Sequence, residues 1–417
     1  MFMFEKALVG SRKYWIWICI LLAIVLLGFL AYLRQATVGL AVTGLNHDVV
    51  WGLYIAQFIF CVGLGASAVV VVLPYYLHDW KAFGKTTMMG EILGMCSVIM
   101  AMLFILASMG QPQRVLNVLL YPHSNSLIFW DILVLNGYVL LNAVITVTLL
   151  GAKHEGVPPP KWIKPVIMLS IPWAISIHVV TAFLFSGLAG RSFWLTPILA
   201  PRFLVSAFSS GPALLIILIL TLRRLGVFDA GLEAVKKLAL IVTYCMLINV
   251  FFVLMEVFTI FYSQIPGHTE HFEYLFFGLD GNYQLVPWIW LSVLFSLTAL
   301  TLLLVPRWRT DTRLLTWACV LVFVSLWLDK GFALLIGGFV PSPLGAIARY
   351  TPTLNEWTVV AGIWATGAFM ITVLYKIMLS VGENYSPARE RIEIAGLIPS
   401  SLGTVTDYQL TTRNGGS

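Results

Sequence analysis

Charged side chains are scarce in this 417-residue chain. Asp, Glu, Lys and Arg together make up 11% of it, whereas 59% of the residues are hydrophobic, and the mean hydropathy is +0.91. A water-soluble protein of this length could not remove so much apolar surface from water. The shortage of charge therefore excludes a soluble globular protein and indicates an integral membrane protein.

The motifs that hold redox metals or nucleotides are also missing. No C-x-x-C pair, C-x-x-C-H haem attachment motif or glycine-rich phosphate loop occurs, and only His178 among seven histidines lies deep in an apolar run. A haem b between membrane helices generally needs two facing histidines. We therefore expect no haem, iron–sulfur cluster, metal or ATP site in this chain. Its five cysteines all lie in apolar runs: Cys19, Cys61, Cys96, Cys245 and Cys319.

Ten apolar runs are long enough to cross a bilayer as helices, for which about 20 residues suffice. The continuous runs differ from the alternating decamers of a membrane β-barrel, and the first is too long for the core of a cleaved signal peptide. The sequence thus predicts an all-α membrane protein with spans at 14–33, 50–76, 87–109, 126–150, 163–186, 198–222, 235–263, 286–305, 312–338 and 356–380.

Basic residues predict the orientation of these spans. With a cytoplasmic N-terminus, nineteen Lys and Arg residues fall on the inner side and five on the outer side; Lys330 lies within a span, which accounts for all 25. The positive-inside rule therefore favours cytoplasmic termini in a multi-pass protein of the cell membrane. The polar stretch 381–417 is predicted to be a cytoplasmic tail. The net charge of +6 needs no nucleic-acid partner to explain it.

Seven ionisable residues lie inside the predicted spans, where a charge is costly and often functional. Counted at about 1.5 Å per residue, all except Glu91 fall in the outer half of the membrane, as a polar layer. Such a layer suits a quinone, whose tail lies in lipid and whose head group needs a hydrogen-bond donor at each carbonyl. The seven are Glu91, Asp131, His178, Arg202, Glu256, Asp329 and Lys330.

His178 is the leading candidate for a head-group partner, because an imidazole exchanges protons near neutral pH. Asp131 could orient it or pass the proton on, and Thr181 lies one turn away on the same helix face. Structural roles stay open for each group. His178 could bond a carbonyl, Asp131 and Arg202 could face interfacial water, and Glu256 could form an ion pair with Arg202 or Lys330.

The spans also suggest an internal duplication. Spans two and six both place small residues before an aliphatic run, and His178 in span five and Lys330 in span nine occupy similar positions. An offset of four spans preserves direction, so these would be parallel repeats. The prediction is a ten-helix domain over 1–380 that contains two four-helix bundles, at 50–186 and 198–338, flanked by spans one and ten.

Several longer blocks of the sequence are distinctive: YWIWI, GLYIAQF, VVLPYYLHD, SIPWAISIHVVTAF, EVFTIFYSQIPGH and DKGFALLIGGFVP. Over roughly residues 4–380 the chain resembles the NrfD/PsrC family of quinone-interacting membrane subunits. The family's G-x-P-x-R element is present as Gly110, Pro112 and Arg114, although Ser108 stands where many members have Asp. Within the family, the blocks are most similar to the DsrP membrane subunits of DsrMKJOP complexes.

The resemblance implies a menaquinone site near the extracytoplasmic face of the first bundle. The residues expected there are His178 and Asp131, as catalytic and quinone-binding groups, with Thr181 and Tyr138. Proton transfer or a second polar site is assigned to Glu256, Asp329, Lys330, Arg202 and Glu91.

The resemblance also implies an extracytoplasmic iron–sulfur partner, a haem b membrane subunit, a cytoplasmic iron–sulfur subunit and a multihaem cytochrome c. The function expected is that of the membrane subunit of a redox complex in sulfate or sulfite reduction. The chain would exchange electrons with menaquinone and would not be catalytic alone. Three alternatives stay open: the membrane subunit of another, Qrc-like menaquinone oxidoreductase, a secondary transporter or ion channel, and a structural anchor for soluble redox subunits.

A colourless protein is the first expected outcome. Because the sequence offers no paired haem ligands and no cysteine cluster, the purified chain separated from its partners should show no Soret band. Visible absorption spectroscopy on the detergent-purified protein measures this, with the intact complex as the coloured control. A stoichiometric Soret band in the isolated chain would contradict the prediction.

Overall fold

A computed structural model describes residues 3–383, and in that part of the chain ten helices are long and apolar enough to cross a membrane. This confirms the predicted number of spans and the all-α class. The described residues hold no β-strand, only an isolated bridge between Leu279 and Asn282. The helices are α1 Arg12–Val38, α2 Leu53–Leu77, α3 Thr87–Ser108, α4 Leu127–Glu155, α5 Ile163–Ser186, α6 Leu199–Arg224, α7 Leu232–Ser263, α8 Val286–Leu304, α9 Thr312–Phe339 and α10 Leu354–Glu383.

Helices α2 to α5 contact one another around a ring, and α6 to α9 form a second ring. The two rings meet where α2 packs against α6 and α9, which leaves the most hydrophobic stretch of α2 completely buried. Helices α1 and α10 pair beside them at Gly28 and Gly362, where a Cβ on Gly28 would lie 2.5 Å from the Gly362 Cα. Small residues allow such close helix contacts in lipid. The duplication that suggested two bundles stays a prediction.

The loops that the predicted topology places on one side of the membrane lie together in the structure. At one end, here the distal end, Gly44 N–H donates to Glu356 Oε2 (2.8 Å), Ser192 Oγ to the Gly267 carbonyl (2.6 Å) and Gln284 Nε2 to Thr351 Oγ1 (2.9 Å). These bonds join the connections after α5, α7 and α9 to one another, and the connection after α1 to the start of α10. At the opposite, proximal end, Arg224 Nη2 donates to Thr316 Oγ1 (3.1 Å). The helices therefore alternate in direction.

Two spans contain irregular turns that position polar groups. In α2, a 3₁₀ turn at Gly65–Ser67 interrupts the helix, and the Tyr138 hydroxyl donates to the Gly65 carbonyl oxygen at 2.7 Å. In α9, a π-helical segment at Trp327–Ala333 carries both Asp329 and Lys330. Segments of π-helix often occur at functional sites, and irregular backbone in a membrane needs partners from neighbouring helices.

A buried carboxylate fastens the distal end. Glu356, with 0% exposure, accepts hydrogen bonds from the backbone N–H groups of Gly44 (2.8 Å) and Thr353 (2.9 Å) and from the Tyr350 hydroxyl (2.8 Å). The Tyr350 oxygen in turn accepts from Leu53 N–H (2.7 Å), at the first residue of α2. One tyrosine thus satisfies an N–H that the start of a helix would otherwise leave unpaired.

Helix α10 continues to Glu383, three residues beyond the predicted end of the last span. Most of the predicted tail 381–417 lies outside the described residues, which end at 383.

Removing the Tyr350 hydroxyl should destabilise the distal end. In Tyr350→Phe, both the Leu53 N–H and the Glu356 carboxylate lose a buried partner, a change that typically costs about 1–3 kcal/mol. We expect a lower apparent melting temperature for the purified protein in detergent. Tyr283→Phe is the control, because Tyr283 is 62% exposed. Equal melting temperatures for the two variants and the wild type would contradict a role for this bond.

Candidate functional site

Helices α4 and α5 bring three predicted site residues into the interior of the first bundle. Ser126 caps the start of α4, accepting from Phe129 N–H at 3.4 Å, and Asp131 follows one turn later. Asp131, Thr181 and His178 are buried, with 3%, 0% and 1% exposure. The structure therefore places all three away from the lipid, on facing parts of two neighbouring helices.

The Thr181 hydroxyl links Asp131 to the backbone of α5. Its oxygen lies 2.7 Å from Asp131 Oδ1 and 2.7 Å from the Ile177 carbonyl oxygen. A hydroxyl has one hydrogen and can also accept, so it cannot donate fully to both oxygens. Both contacts are satisfied at once when Asp131 carries a proton and donates it to Thr181 Oγ1. The geometry thus suits a carboxyl group that holds a proton.

His178 has an unused ring nitrogen. Its Nε2 is buried and has no hydrogen-bond partner among the residues that the structure describes. No hydrogen bond between His178 and Asp131 occurs in this part of the chain, so the predicted carboxylate–imidazole contact is not formed. A buried polar atom without a partner is typically unfavourable by about 1–3 kcal/mol, and in a native site such an atom needs an explanation.

Tyr138 and Glu91 have different surroundings. The Tyr138 hydroxyl, expected near a quinone, is engaged by the Gly65 carbonyl of the irregular turn in α2. Glu91 is 1% exposed, and neither carboxylate oxygen has a partner within residues 3–383. It lies one turn beyond Thr87, which lines a cavity of 1150 Å³ at the proximal end. Glu91 therefore lies just beneath a space that opens on the side opposite to His178.

In the second bundle, one guanidinium joins two carboxylates. Arg202 on α6 hydrogen-bonds Glu256 on α7 through Nη1, and through Nη2 it contacts Asp329 Oδ1 (2.8 Å) and Oδ2 (2.9 Å) on α9. The side chains are largely buried, at 9%, 11% and 16% exposure. We call these three residues the Arg202 cluster. Arg202 is therefore not exposed to interfacial water, one of the roles that the sequence left open.

Lys330 points away from the Arg202 cluster, as its adjacency to Asp329 on a helix predicts. Its Nζ donates to the Phe203 carbonyl oxygen at 2.8 Å and lies 4.3 Å from the centroid of the Phe203 ring. The polar layer expected from the sequence is thus divided. Asp131 and Thr181 form one hydrogen-bonded group, and the Arg202 cluster forms another.

Two cavities, of 280 and 350 Å³, flank the Arg202 cluster. Arg202 and Glu256 line both of them, and Asp329 lines the smaller. At the rim of the smaller cavity, Leu254 on α7 and Leu297 on α8 are 61% and 51% exposed, on surfaces that face lipid. Neither of these two cavities is lined by His178 or Asp131.

Uncharged amides and one carboxylate are buried polar groups that the pattern of charged residues in the spans does not reveal. Gln57 Oε1 accepts from the indole N–H groups of Trp327 (3.1 Å) and Trp364 (3.0 Å). Asn249 is 3% exposed and lines the smaller cavity. Glu356 stands at the start of the last predicted span, where hydropathy alone gives a carboxylate no role. Gln and Asn inside the apolar runs are the signal that could have identified the amides.

The connection between α7 and α8 forms a short helix, Pro266–Phe276, over the distal end of the second bundle. His271 fixes it there: Nδ1 lies 3.0 Å from the Val340 carbonyl and Nε2 lies 3.2 Å from Ser192 Oγ. Burial lowers the pKa of His271, so the ring is neutral at neutral pH. Within residues 3–383, no group of three or more His, Cys, Asp or Glu side chains could hold a metal ion.

Three curated proteins are similar to this chain. A putative membrane subunit of dimethyl sulfoxide reductase from Halobacterium salinarum is 25% identical over 397 residues, covering 85% of this chain and 89% of its own length. The Hdr-like menaquinol oxidoreductase integral membrane subunit of Archaeoglobus fulgidus is 24% identical over 395 residues, covering 91% and 97%. A selenate reductase subunit of Mesobacillus selenatarsenatis is 25% identical over 294 residues, covering 61% and 67%.

The family comparison agrees with the ten-helix architecture. The model of the family described as polysulphide reductase, NrfD, matches residues 41–341, which run from the connection before α2 to the end of α9. That range contains both helix rings and both polar groups. The chain is a multi-pass integral membrane protein that belongs to the NrfD family of oxidoreductase membrane subunits.

Proposed function

We propose that this chain is the membrane subunit through which a respiratory complex of sulfur metabolism, similar to DsrMKJOP, exchanges electrons with menaquinone. The distal end would face the extracytoplasmic side, since most Lys and Arg residues then lie in the cytoplasm. One relative carries menaquinol oxidoreductase in its name. The similarity of the longer sequence blocks to DsrP supports the specific complex.

The observation that carries the proposal is the unpartnered Nε2 of His178. In the interior of a membrane protein, a polar atom is expected to be paired, and a quinone oxygen would supply the missing partner. Asp131 and Thr181 lie beside it with a geometry that suits a bound proton. The residues present therefore fit a quinone head group chemically, and menaquinone would supply the two-electron, two-proton chemistry there.

The protein's own residues would position the head group and move protons. His178 Nε2 would accept a proton from a hydroxyl of the reduced head group, or donate one to a carbonyl, according to its tautomer. Asp131, with Thr181 as its hydrogen-bond partner, would hold a further proton beside the site. Electrons would pass to or from an iron–sulfur partner docked on the distal surface, because this chain has no predicted cluster of its own.

The short helix Pro266–Phe276 and the connection at 110–125 are proposed as the surface for that partner. The connection 264–285 that contains this helix carries Glu270, Glu273 and Asp280 with no Lys or Arg. Such acidic residues would favour a partner with basic residues around its cluster.

Uptake of ions into liposomes by the chain alone would instead favour the transporter alternative.

Replacing His178 should slow quinone-linked turnover without preventing assembly. His178→Gln keeps a hydrogen-bonding side chain but cannot exchange a proton, and loss of a proton partner typically slows a reaction by about 10²–10⁴-fold. The measurement is menaquinol-analogue turnover, normalised to the amount of assembled complex. Glu155→Gln is the control, since Glu155 is exposed at the proximal end. Wild-type rates in both His178→Gln and His178→Ala would show that His178 is structural.

Asp131→Asn tests the proton on the carboxyl group separately from the structure. The asparagine amide can donate to Thr181 Oγ1 as a protonated carboxyl group would, so folding should be unaffected while proton exchange is lost. We expect turnover to fall by about 10²-fold or more, with an unchanged melting temperature. If turnover stays at the wild-type rate, Asp131 has only a structural role and His178 acts without it.

A further inference from the structure

The second bundle contains a cavity with polar groups that the proposed function does not use. This cavity of 280 Å³ lies between α7 and α8 and is mostly apolar, lined for instance by Val253 and Leu297. Asn249, Arg202, Glu256 and Asp329 are the polar or charged groups that line it together with two serines. A mostly apolar cavity with a few convergent polar groups is typical of a small-molecule site.

Asn249 is a buried acceptor with no partner. It is 3% exposed, and its Oδ1 has no hydrogen-bond partner within residues 3–383. Asn249 and Glu256 are seven residues apart on α7, so they project from nearly the same face two turns apart. At 1.5 Å per residue, their backbone positions are separated by about 10.5 Å along the helix axis. Asn249 and Glu256 therefore offer the cavity two acceptors on the same face of α7, two turns apart.

Arg202 also has hydrogen-bonding capacity to spare. A guanidinium has five N–H donors, and the three hydrogen bonds of Arg202 to Glu256 and Asp329 leave at least two of them. One guanidinium faces two carboxylates, so the Arg202 cluster offers acceptors as well as donors at the same wall of the cavity. The combination recognises a group with both a hydroxyl hydrogen and an oxygen lone pair.

We infer that this cavity is a second head-group site, which holds the reduced, hydroquinone form of a lipid-borne quinone. One hydroxyl would donate to Asn249 Oδ1, and the other would donate to Glu256 and accept from Arg202. The two oxygens of such a ring are roughly 5 Å apart, being two C–O bonds and the ring between them. With a hydrogen bond of about 2.8 Å at each end, the hydroquinone and its two hydrogen bonds have a length comparable to the axial spacing of the Asn249 and Glu256 backbone positions.

The position of the cavity explains how such a ligand would enter. Leu254 and Leu297 at its rim are more than half exposed, and both lie on helices whose outer faces contact lipid. A ring attached to an isoprenoid tail could therefore pass between α7 and α8 from the bilayer while its tail stayed in lipid. The inference concerns binding alone and rests on the proposed function only in taking a quinone as the ligand.

The experiment counts quinol bound to the intact complex. The complex is reconstituted in phospholipid nanodiscs free of quinone and equilibrated without oxygen with chemically reduced menaquinone-4, and the bound quinol is extracted and quantified. We expect two molecules per chain in the wild type and one in Asn249→Leu. Asn136→Leu is the matched control, because Asn136 is exposed on the lipid side of α4, and it should keep two.

A second variant guards against misfolding at Asn249. Ser296→Phe fills the same cavity from α8 without altering Asn249 or the Arg202 cluster, and it should also bind one molecule. Two bound molecules in both variants would overturn the inference. So would unchanged quinol binding accompanied by loss of a tightly held phospholipid, since the cavity would then be a lipid site.

The two proposals fail in different ways. His178→Ala should remove the first-bundle molecule and leave the one at Asn249. If the wild type binds one molecule that is lost in His178→Ala and kept in Asn249→Leu, the second site is wrong and the proposed function stands. If the single molecule is lost in Asn249→Leu and kept in His178→Ala, the second-bundle site stands and the first-bundle site is wrong.

Discussion

The need to pair every polar group inside a bilayer governs this structure. Water cannot supply the missing hydrogen bonds there, so each buried carboxylate, amide or cation must find its partner on a neighbouring helix. Glu356 and Lys330 do so through backbone groups. Gln57 Oε1 does so through tryptophan N–H donors, whereas Gln57 Nε2 has no partner among the described residues. These bonds join helices that are far apart in sequence.

Several buried polar atoms are exceptions to this rule. Such atoms without a partner in the described residues occur in Gln57, Thr146, Tyr274 and Asn282. Three further residues described above, His178, Asn249 and Glu91, also have such atoms. They lie in the first bundle, in the second bundle and near the proximal end. Since packing alone does not favour a buried unpaired group, each marks a place where a ligand or a proton could complete the site. His178 and Asn249 are the two of these positions at which a quinone head group is proposed to bind.

The number of spans and their limits could be predicted from the sequence, because hydropathy over about 20 residues reports directly on the bilayer. The direction in which buried side chains point could not be predicted from the sequence. The sequence predicted that Asp329 and Lys330 would need separate partners, since neighbours on a helix diverge, but nothing in it selected Arg202 for Asp329 and the Phe203 carbonyl for Lys330. Nor did it indicate that Thr181, rather than His178, contacts Asp131. Such pairings depend on helix rotation and on irregular turns, which the apolar pattern does not encode.

The π-helical segment of α9 has a consequence for how the two bundles are held together. Within four residues, Trp327 donates to Gln57 on α2, Asp329 binds Arg202 on α6 and Lys330 reaches the Phe203 carbonyl. A helix advances about 100° per residue, so an insertion or deletion of one residue between Trp327 and Asp329 would turn the distal part of α9 by more than a quarter of a circle. Asp329 and Trp327 could not then both keep their partners. The segment therefore fixes the rotational orientation of α9 relative to both bundles, and a change of length between Trp327 and Asp329 would disturb the contacts of α9 with both.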